Sequence, residues 1–395
     1  MKELSTRLVR DLDATPDRAP LLVGGCGTGR TSGCLAARDE FGRDRAQYID
    51  LERAATTPER FLHAVVASSP FLPAGGQLPG VPASPREAYD EALKFLATAC
   101  TRDGRPATFL LDEILELRTF ESFPGLRAAL PELAHAVDAS PNRFVLTTRY
   151  ETRGRRLIDQ ARSRRLDPWP VAGVDVTAVA DRLRHGESQG EAGGPDDVEL
   201  ARLVHALGAG RPLYVESIVR QMAAVDGRAP SDPVSALSAL LAPGERLDLE
   251  CRCRYEMRLQ RARGYGALRA ILAVLAVEEP LNLTAIARHM QRTAGSTKDY
   301  LMWLCDVDLV AVDRKRYSFR DPLLRLWVRL QTRTAPPDQA QVAAEVHRYA
   351  LERSARGGFE AEPPAPPPEA AAAPPRAVVA KAVPVARAWK EMEID

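Results

Sequence analysis

A glycine-rich segment near the amino terminus is the part of the sequence best suited to chemistry. It follows the apolar run Leu21–Val23 and consists of Gly24, Gly25, Cys26, Gly27, Thr28, Gly29, Arg30, Thr31 and Ser32. Its spacing is that of a P-loop, with Arg30 in place of the usual lysine. Glycines let successive backbone N–H groups face one anion, and a following helix adds its amino-terminal dipole. The segment predicts a phosphate-binding loop in which the Thr31 hydroxyl ligates Mg²⁺.

Two carboxylates at the end of a second apolar run strengthen this interpretation. The run Thr108–Leu111 is followed by Asp112 and Glu113. Taken singly, the glycine-rich segment fits a structural turn and the acidic pair fits a solvated turn. Because the pair ends a strand that lies downstream of the loop, it also fits the carboxylates of phosphoryl transfer. In that reaction Asp112 would hold the magnesium shell and Glu113 would polarise the attacking water.

Two further segments carry residues that suit a nucleotide. The strand Phe144–Leu146 is followed by Thr147 and Arg149, which we expect beside the γ-phosphate, although an ordinary strand end with a surface arginine is the alternative. Pro212 follows a glycine-rich turn and begins a helix, as proline does at a first helical position. We expect its ring to lie against adenine. The predicted ligands are therefore ATP and Mg²⁺.

The arginine in the loop is the main departure from the P-loop pattern. Arg30 keeps the positive charge, so phosphate attraction is retained. A planar guanidinium is bulkier than an ammonium and presents a fork instead of a point charge, so the exchange is not conservative in a tight loop. We therefore predict that nucleotide binding persists while phosphoryl transfer is slow. The candidate catalytic residues are Glu113, Arg30 and Arg149.

The elements that position these residues follow an alternating pattern in the first half of the chain. Apolar strand candidates alternate with amphipathic helix candidates, which predicts a parallel sheet covered by helices. The strands are expected at residues 20–23, 47–51, 107–111 and 143–147, and the helices at 32–41, 58–67 and 85–100. Beyond residue 174 strand signals stop, and helices are expected at 176–183, 197–207 and 213–224.

A third pattern, three helices followed by a hairpin, is typical of a winged helix-turn-helix. The helices are expected at 268–276, 284–290 and 297–305, and the hairpin strands at 309–312 and 317–319. Arg314, Lys315 and Arg316 would then lie at the tip of the wing as candidate DNA contacts. Preceding this unit, Arg254, Arg258 and Arg261 share one face of a helix, which we expect to be solvated.

The order of these motifs resembles that of STAND-type ATPases of the AAA+-related group. The stretch from Phe319 to Trp327 is similar to the archaeal-type ATPases of that group, and the resemblance spans about residues 21–333. It implies that Asp112 and Glu113 form the Walker B pair, that Arg149 senses the γ-phosphate and that Pro212 contacts adenine. It also implies that the winged helix packs against the nucleotide domain, which we favour over DNA binding. Residues 1–20 lack the Gly-Arg box that usually opens the family.

The resemblance predicts four regions and a switching function. The regions are a P-loop domain (1–174), a helical lid (175–235), linker helices with a winged helix (236–333), and a helix end with a disordered Pro/Ala-rich tail (334–395). Nucleotide state would control the binding of a protein partner, and oligomers are compatible with this group. Two alternatives remain open: a non-hydrolysing adaptor that recruits partners through Trp389 and Met392, and an ATP-regulated DNA-binding protein.

Composition limits the remaining classes. The 395 residues carry 54 Lys+Arg against 53 Asp+Glu, a formal charge of +1, which argues against a surface that wraps nucleic acid. A hydrophobic share of 45% and a charged share of 27% fit a globular protein. The longest apolar run, near residues 268–277, is too short to span a bilayer, and the polar start lacks a secretory signal, so a cytoplasmic protein without membrane partners is expected. Six scattered cysteines argue against a disulfide framework.

Overall fold

Five parallel strands form the central sheet of the structure, which is a computed structural model. They are β1 (Ala19–Val23), β2 (Ala46–Asp50), β3 (Thr108–Asp112), β4 (Arg143–Thr148) and β5 (Leu166–Pro170), in the order β2-β3-β4-β1-β5. Strands β1 and β3 are buried along their whole length, which explains their continuous apolar runs. Because parallel strands end at the same edge, β1, β3 and β4 bring the three predicted motifs side by side.

The described residues are 2–73, 75–186, 195–223, 232–260, 264–333 and 335–356. The predicted docking residues Trp389 and Met392 lie outside these ranges. Residues Met1–Arg356 form one compact unit, and the division of the chain into four regions stays a prediction. Among the described residues, no helix combines the length and the apolar character needed to cross a bilayer.

Helices cover both faces of the sheet. Leu22, Leu110 and Val145 pack on one face, and the intervening Leu21 and Leu111 pack on the other, so the alternation of side chains along each strand separates two cores. The first face is covered by α1 (Lys2–Ala14) and α2 (Arg30–Phe41). The other helical segments of this region are α3 (Leu51–Ala54), α4 (Pro58–Val66), α5 (Pro85–Thr98), the 3₁₀ segment Ile114–Ser122, α6 (Ala129–Ala139) and α7 (Glu151–Ala161).

Strand β5 was not predicted. Its sequence, Leu-Asp-Pro-Trp-Pro, contains two residues without a backbone N–H, which disfavours a central strand. Among the described strands, β5 lies at the edge of the sheet and has β1 as its one neighbour. Since an edge strand leaves one row of hydrogen-bonding groups unpaired, Pro168 and Pro170 are tolerated there.

A helical region follows the sheet. It contains α8 (Val176–Gly186), α9 (Pro195–Gly208), α10 (Pro212–Met222), α11 (Pro233–Leu241) and α12 (Arg246–Leu259). The three helices predicted between residues 176 and 224 are therefore present, with ends within a few residues of the expectation. Helices α10 and α11 each begin with a proline in the first turn.

The carboxy-terminal part of the described chain contains helices and a small antiparallel sheet. Its elements are α13 (Tyr265–Val277), β6 (Leu281–Asn282), α14 (Leu283–His289), α15 (Ala294–Asp306), β7 (Val310–Asp313), β8 (Arg316–Phe319), α16 (Pro322–Gln331) and α17 (Gln339–Arg356). The sheet order is β6-β8-β7. The three helices and the hairpin match the predicted order, and β6 adds a third strand whose two residues are too few for a sequence signal. We call residues 265–319 the helix–hairpin unit.

Candidate functional site

The glycine-rich loop between β1 and α2 has a curvature that requires glycine. Gly27 and Gly29 have φ angles of 78° and 86°, in the left-handed region that other residues rarely adopt. A Cβ on Gly24 would lie 2.9 Å from the Thr28 hydroxyl oxygen, and this hydroxyl donates to the Gly25 carbonyl at 2.9 Å. The loop therefore folds tightly on itself before α2 begins at Arg30.

Asp112, at the end of β3, is held by three hydroxyl groups. The Thr31 hydroxyl and the Tyr48 phenol each donate to Asp112 Oδ2 at 2.7 Å, and the Thr147 hydroxyl donates to Oδ1. Burial and the adjacent Asp112 raise the pKa of the Tyr48 phenol, so it stays a donor. Thr31 and Asp112 offer the oxygen ligands that Mg²⁺ prefers. Tyr48 was not predicted, because a tyrosine in a strand carries no motif.

Glu113 lies between the two predicted cations of the site. Its Oε1 is 2.8 Å from Arg30 Nη1, and its Oε2 accepts from the Arg149 backbone N–H and lies near Arg149 Nε, both at 3.1 Å. The side chains of Arg30 and Glu113 are only 6% and 7% exposed. Arg30 Nε is buried without a hydrogen-bond partner among the described residues. The guanidinium therefore has donor capacity left for an anion.

The backbone and surroundings of Glu113 and Arg149 hold this arrangement in place. Glu113 has φ 59° and ψ 54°, a left-handed conformation that is uncommon outside glycine, and its N–H donates to the Thr147 hydroxyl at 3.0 Å. Arg149 also pairs with Glu52. Burial alone would lower the pKa of Arg149, but Glu113 and Glu52 outweigh burial and raise it. Glu52, on the short helix after β2, gave no signal in the sequence.

A cavity of about 370 Å³ opens between the loop and the helical region. Pro212, at the start of α10, lines it, as expected for a residue that contacts a nucleotide base. The Leu213 N–H donates to the Gly27 carbonyl at 3.1 Å and so attaches α10 to the loop. Among the described residues, the lining consists of Gly27, Thr28, Gly29, Arg30, Thr31, Ser32, Arg182, Pro212, Leu213, Glu216, Arg220 and Arg246.

The structure therefore brings part of the predicted site together around this cavity. Its described lining lacks Gly24, Gly25, Cys26, Thr147 and Arg149. Asp112 and Glu113 are also absent from it but contact the lining residues Thr31 and Arg30. The cations Arg182, Arg220 and Arg246 were missed, because they come from three different helices without a shared sequence pattern.

Three arginines that do not line the cavity contact the glycine-rich loop. Arg211 Nη1 donates to the Cys26 carbonyl at 3.3 Å, and Arg258 Nη2 lies 3.6 Å from Cys26 Sγ. A Cβ on Gly27 would lie 3.0 Å from Arg254 Nη2. Arg211 at the start of α10 and two residues of α12 thus contact the loop, and we call Arg211, Arg254 and Arg258 the arginine clasp.

The expectation that α12 presents a solvated basic face was wrong. Arg254 and Arg258 are 9% and 7% exposed. Helical spacing shows that these arginines share a face, but it does not show what that face contacts. Here it contacts buried oxygen atoms, including the Asp308 carbonyl, which accepts from Arg258 Nη1 at 3.3 Å. Arg261 lies outside the described residues.

Asp321 connects the arginine clasp to α16. Its Oδ2 accepts from the Tyr214 hydroxyl at 2.8 Å and lies 3.0 Å from Arg211 Nη1, while Arg254 Nη1 donates to the same tyrosine hydroxyl at 3.1 Å. Burial alone would raise the pKa of the Asp321 carboxyl, but Arg211, Tyr214 and Arg254 outweigh burial and hold this pKa below its usual range. The carboxylate is therefore charged and fully partnered.

A second aspartate connects the helix–hairpin unit to α7. Asp308 Oδ2 accepts from the Glu151 N–H at 2.5 Å, and its Oδ1 accepts from the Thr152 hydroxyl at 2.8 Å and from Arg320 Nη1 at 2.6 Å. A residue distant in sequence thus caps the first turn of α7, which begins two residues after Arg149. Asp306 adds ion pairs to Arg153 at 2.7 Å and to Arg156 at 2.9 Å. We call these aspartates the α7 latch.

The tip of the hairpin carries the predicted basic residues. Arg314 and Lys315 have positive φ angles of 46° and 65° and form a two-residue turn between β7 and β8. Arg314, Lys315 and Arg316 are exposed. Their placement matches the expectation, and their role as DNA contacts stays a prediction.

The sheet, the P-loop and the acidic pair define a P-loop NTPase fold. No protein-family model and no curated protein matches the chain. A solved Walker-type ATPase of Pyrococcus abyssi is similar to it with a TM-score of 0.58 and 17% identity, over 83% of this chain and 95% of that one. This likeness confirms the predicted fold, a parallel α/β sheet of the P-loop NTPase type with helices on both faces.

Two other solved structures are similar at lower scores. The Orc1 protein of Aeropyrum pernix, solved in complex with DNA, has a TM-score of 0.43 and 16% identity over 90% of this chain and 93% of that one. Cdc6p from Pyrobaculum aerophilum has a TM-score of 0.40 and 14% identity over 85% of this chain and 88% of that one.

We predict that Gly27→Ala removes nucleotide binding and lowers the free energy of unfolding by about 2 kcal/mol. The alanine would have to adopt the left-handed backbone of position 27, which is strained for a residue with a Cβ. This Cβ would also lie 2.9 Å from Leu213 Cβ. Chemical denaturation and nucleotide titration measure the two effects. Gly80→Ala is the control, because its Cβ would meet no described atom within 4 Å. Unchanged affinity in Gly27→Ala would contradict the assignment of the loop.

Proposed function

We propose that the protein is an ATP-binding switch that hydrolyses its nucleotide slowly and couples nucleotide state to partner binding. The observation that carries the proposal is the convergence of the P-loop with the acidic pair. The Thr31 hydroxyl oxygen is 2.7 Å from Asp112 Oδ2, and Arg30 Nη1 is 2.8 Å from Glu113 Oε1. A loop that binds phosphate next to a magnesium carboxylate and a second carboxylate is the arrangement that phosphoryl transfer requires.

Mg²⁺ fits the residues at this site, because the Thr31 hydroxyl and the Asp112 carboxylate provide adjacent oxygen ligands. When bound, the ion supplies charge neutralisation for the transferred phosphoryl group. The chain itself supplies the remaining functions. Backbone N–H groups of Gly27–Thr31 orient the phosphates, Arg30 and Arg149 attract the γ-phosphate, and Pro212 limits the space for the base.

Slow turnover is expected because Arg30 forms an ion pair with Glu113, the candidate general base. In the described arrangement Glu113 is paired with two guanidinium groups, so its carboxylate is not available to orient a water molecule. A general base must be within hydrogen-bond reach of the proton that it accepts. Hydrolysis therefore waits for an exchange of partners around Glu113.

The α7 latch provides a route from the nucleotide to the helix–hairpin unit, which we propose to be a winged helix with a mechanical role. Arg149, which would contact the γ-phosphate, lies two residues before the start of α7, the helix that Asp308 caps. A ligand shifts such an equilibrium only as far as it contacts one arrangement better than another. Arg149 would make that difference, because it contacts the γ-phosphate of ATP and has no equivalent contact with ADP.

We predict that Asp308→Ala separates nucleotide binding from this response. The change removes a helix cap and the carboxylate that Arg320 contacts, which lowers stability by about 2 kcal/mol. Nucleotide affinity is expected to stay within about threefold, because the described partners of Asp308 lie outside the cavity lining. Limited trypsin digestion with ADP and with a non-hydrolysable ATP analogue is the measurement. The two digestion patterns should differ in the wild type and in the exposed control Asp299→Ala and should become the same in Asp308→Ala; a persisting difference would contradict the role of the latch.

Binding of duplex DNA through the wing is the second candidate function. The exposed Arg314, Lys315 and Arg316 at the hairpin tip favour it. A gel shift on random duplex, repeated across salt concentrations, tests it with the triple alanine variant. An adaptor role of Trp389 and Met392, self-association and a cytoplasmic location stay predictions from the sequence.

The switch proposal is tested by phosphate release from ATP under single-turnover conditions. We expect slow, Mg²⁺-dependent release that Asp112→Asn abolishes, because the neutral amide lacks the negative charge that attracts Mg²⁺. Rapid release, or release that persists in Asp112→Asn, would overturn the assignment.

A further inference from the structure

We propose that Glu113 is a resident anion that competes with the γ-phosphate for Arg30 and Arg149 and thereby sets the preference between nucleoside diphosphate and triphosphate. The inference rests on the proposed function, since it requires a nucleotide at the P-loop. It goes further by giving Glu113 a role in specificity before any chemistry occurs.

The contacts of Glu113 use both of its carboxylate oxygens. Oε1 is 2.8 Å from Arg30 Nη1, and Oε2 accepts from the Arg149 N–H at 3.1 Å and lies 3.1 Å from Nε. The Glu113 side chain is 7% exposed. A buried carboxylate with two guanidinium partners satisfies most of the charge that an incoming phosphate would otherwise neutralise.

The loop can hold a diphosphate without disturbing these pairs. The β-phosphate would contact the backbone N–H groups of the loop and of the first turn of α2, which have no side-chain cap among the described residues. A γ-phosphate would extend from there toward Arg30 and Arg149. It carries enough negative charge and enough acceptor oxygens to form ion pairs with both guanidinium groups. Only the triphosphate must therefore displace Glu113.

The exchange takes place at the side chain and not at the backbone. The Glu113 N–H is fixed by the Thr147 hydroxyl at 3.0 Å, and the neighbouring Asp112 is held by three hydroxyl groups. When the γ-phosphate pairs with the two arginines, the carboxylate of Glu113 becomes free to accept a proton from the attacking water. The oxygen of that water bonds to the γ-phosphorus as the bond to the bridging oxygen breaks and ADP leaves. Binding of the triphosphate thus prepares the base that its own hydrolysis requires.

A role restricted to water activation makes a different prediction. It requires Glu113 only during hydrolysis, so neutralising this residue would leave the binding of a non-hydrolysable analogue unchanged. A resident anion instead weakens the binding of every ligand that carries a γ-phosphate, whether or not the ligand reacts. Equilibrium binding therefore separates the two roles.

The test is calorimetric titration of the full chain with Mg·ADP and with a Mg-bound non-hydrolysable ATP analogue. In Glu113→Gln we expect the dissociation constant of the analogue to fall at least about tenfold and that of ADP to change less than about threefold. Glu121→Gln is the matched control on the 3₁₀ segment, where Glu121 is 39% exposed. It should leave both constants unchanged.

The outcomes separate this inference from the function on which it rests. If both nucleotides bind and the ratio of their dissociation constants is the same in Glu113→Gln and wild type, the resident-anion role is wrong and the switch stands. If neither nucleotide binds to the wild type, both fail. Should Glu113→Gln not fold, Glu113→Asn removes the same charge. It is expected to fold, because asparagine adopts the left-handed backbone of position 113 more readily than glutamine does.

Discussion

Replacing Arg30 with lysine is expected to raise the rate of ATP hydrolysis at least about tenfold. The guanidinium fork engages Glu113 at 2.8 Å and leaves Nε without a partner among the described residues. A lysine ammonium is a compact charge that follows the phosphates and does not present a second donor in a fixed plane. Lysine at this position should therefore release Glu113 to water more readily than arginine does.

Single-turnover phosphate release is the measurement for Arg30→Lys, with nucleotide affinity determined in parallel. Arg43→Lys is a matched control, because the Arg43 side chain is 73% exposed and pairs with Asp39. The rate should rise in Arg30→Lys and stay unchanged in Arg43→Lys. An equal or lower rate in Arg30→Lys, with affinity retained, would show that Arg30 does not limit the chemistry.

Asp321→Asn is expected to lower the free energy of unfolding by about 3–5 kcal/mol and the melting temperature by roughly 10 °C. The change leaves Arg211 without the carboxylate that lies 3.0 Å away. Asp321 also caps α16, since its Oδ1 accepts from the N–H groups of Leu323 and Leu324 at 3.1 and 3.3 Å. Thermal unfolding measures the effect. The exposed Asp299→Asn should unfold as the wild type does, and a loss of the same size in both variants would contradict the role of Asp321.

The same residue gives a pH dependence of defined sign. Because the pKa of Asp321 is lower in the folded chain, its contribution to stability is fully present above the pKa of about 3.9 that aspartate has when unfolded. That contribution is lost as the pH falls through the lower, folded pKa. Wild type should therefore lose more stability than Asp321→Asn between neutral pH and the acid range.

The sheet was predictable where burial leaves a simple pattern. Strands β1 and β3 are buried on both faces, so their apolar runs are continuous and the loop and acidic pair that follow them stand out. Strand β5 was missed, because proline obscures the strand signal at an edge where its lost N–H costs little. The order of the strands came from long-range pairing, which leaves no local signal.

The residues of the site were predictable within each motif, whereas the contacts between residues of different motifs were not. The sequence identified Arg30, Glu113 and Arg149 separately, yet it did not show that both cations contact the same carboxylate. Tyr48 and Glu52 act through contacts with Asp112 and Arg149 that span 64 and 97 residues of sequence. Contacts of this range depend on the packing of the sheet and have no periodicity to reveal them.

The arginine clasp shows why charge patterns alone mislead. Spacing placed Arg254 and Arg258 on one helix face, and water is the usual environment of such a face. In the structure this face meets Cys26 in the loop and the Asp308 carbonyl. Buried guanidinium groups are acceptable there because oxygen and sulfur acceptors surround them.

A nucleotide is expected to bind between the P-loop and the start of α10. Isothermal titration of the full chain with Mg·ADP tests it most directly, with Gly27→Ala and Gly80→Ala measured alongside. We expect saturable binding of one nucleotide per chain that is lost in Gly27→Ala and kept in Gly80→Ala. Absence of binding to the wild-type chain, or equal binding to both variants, would contradict it.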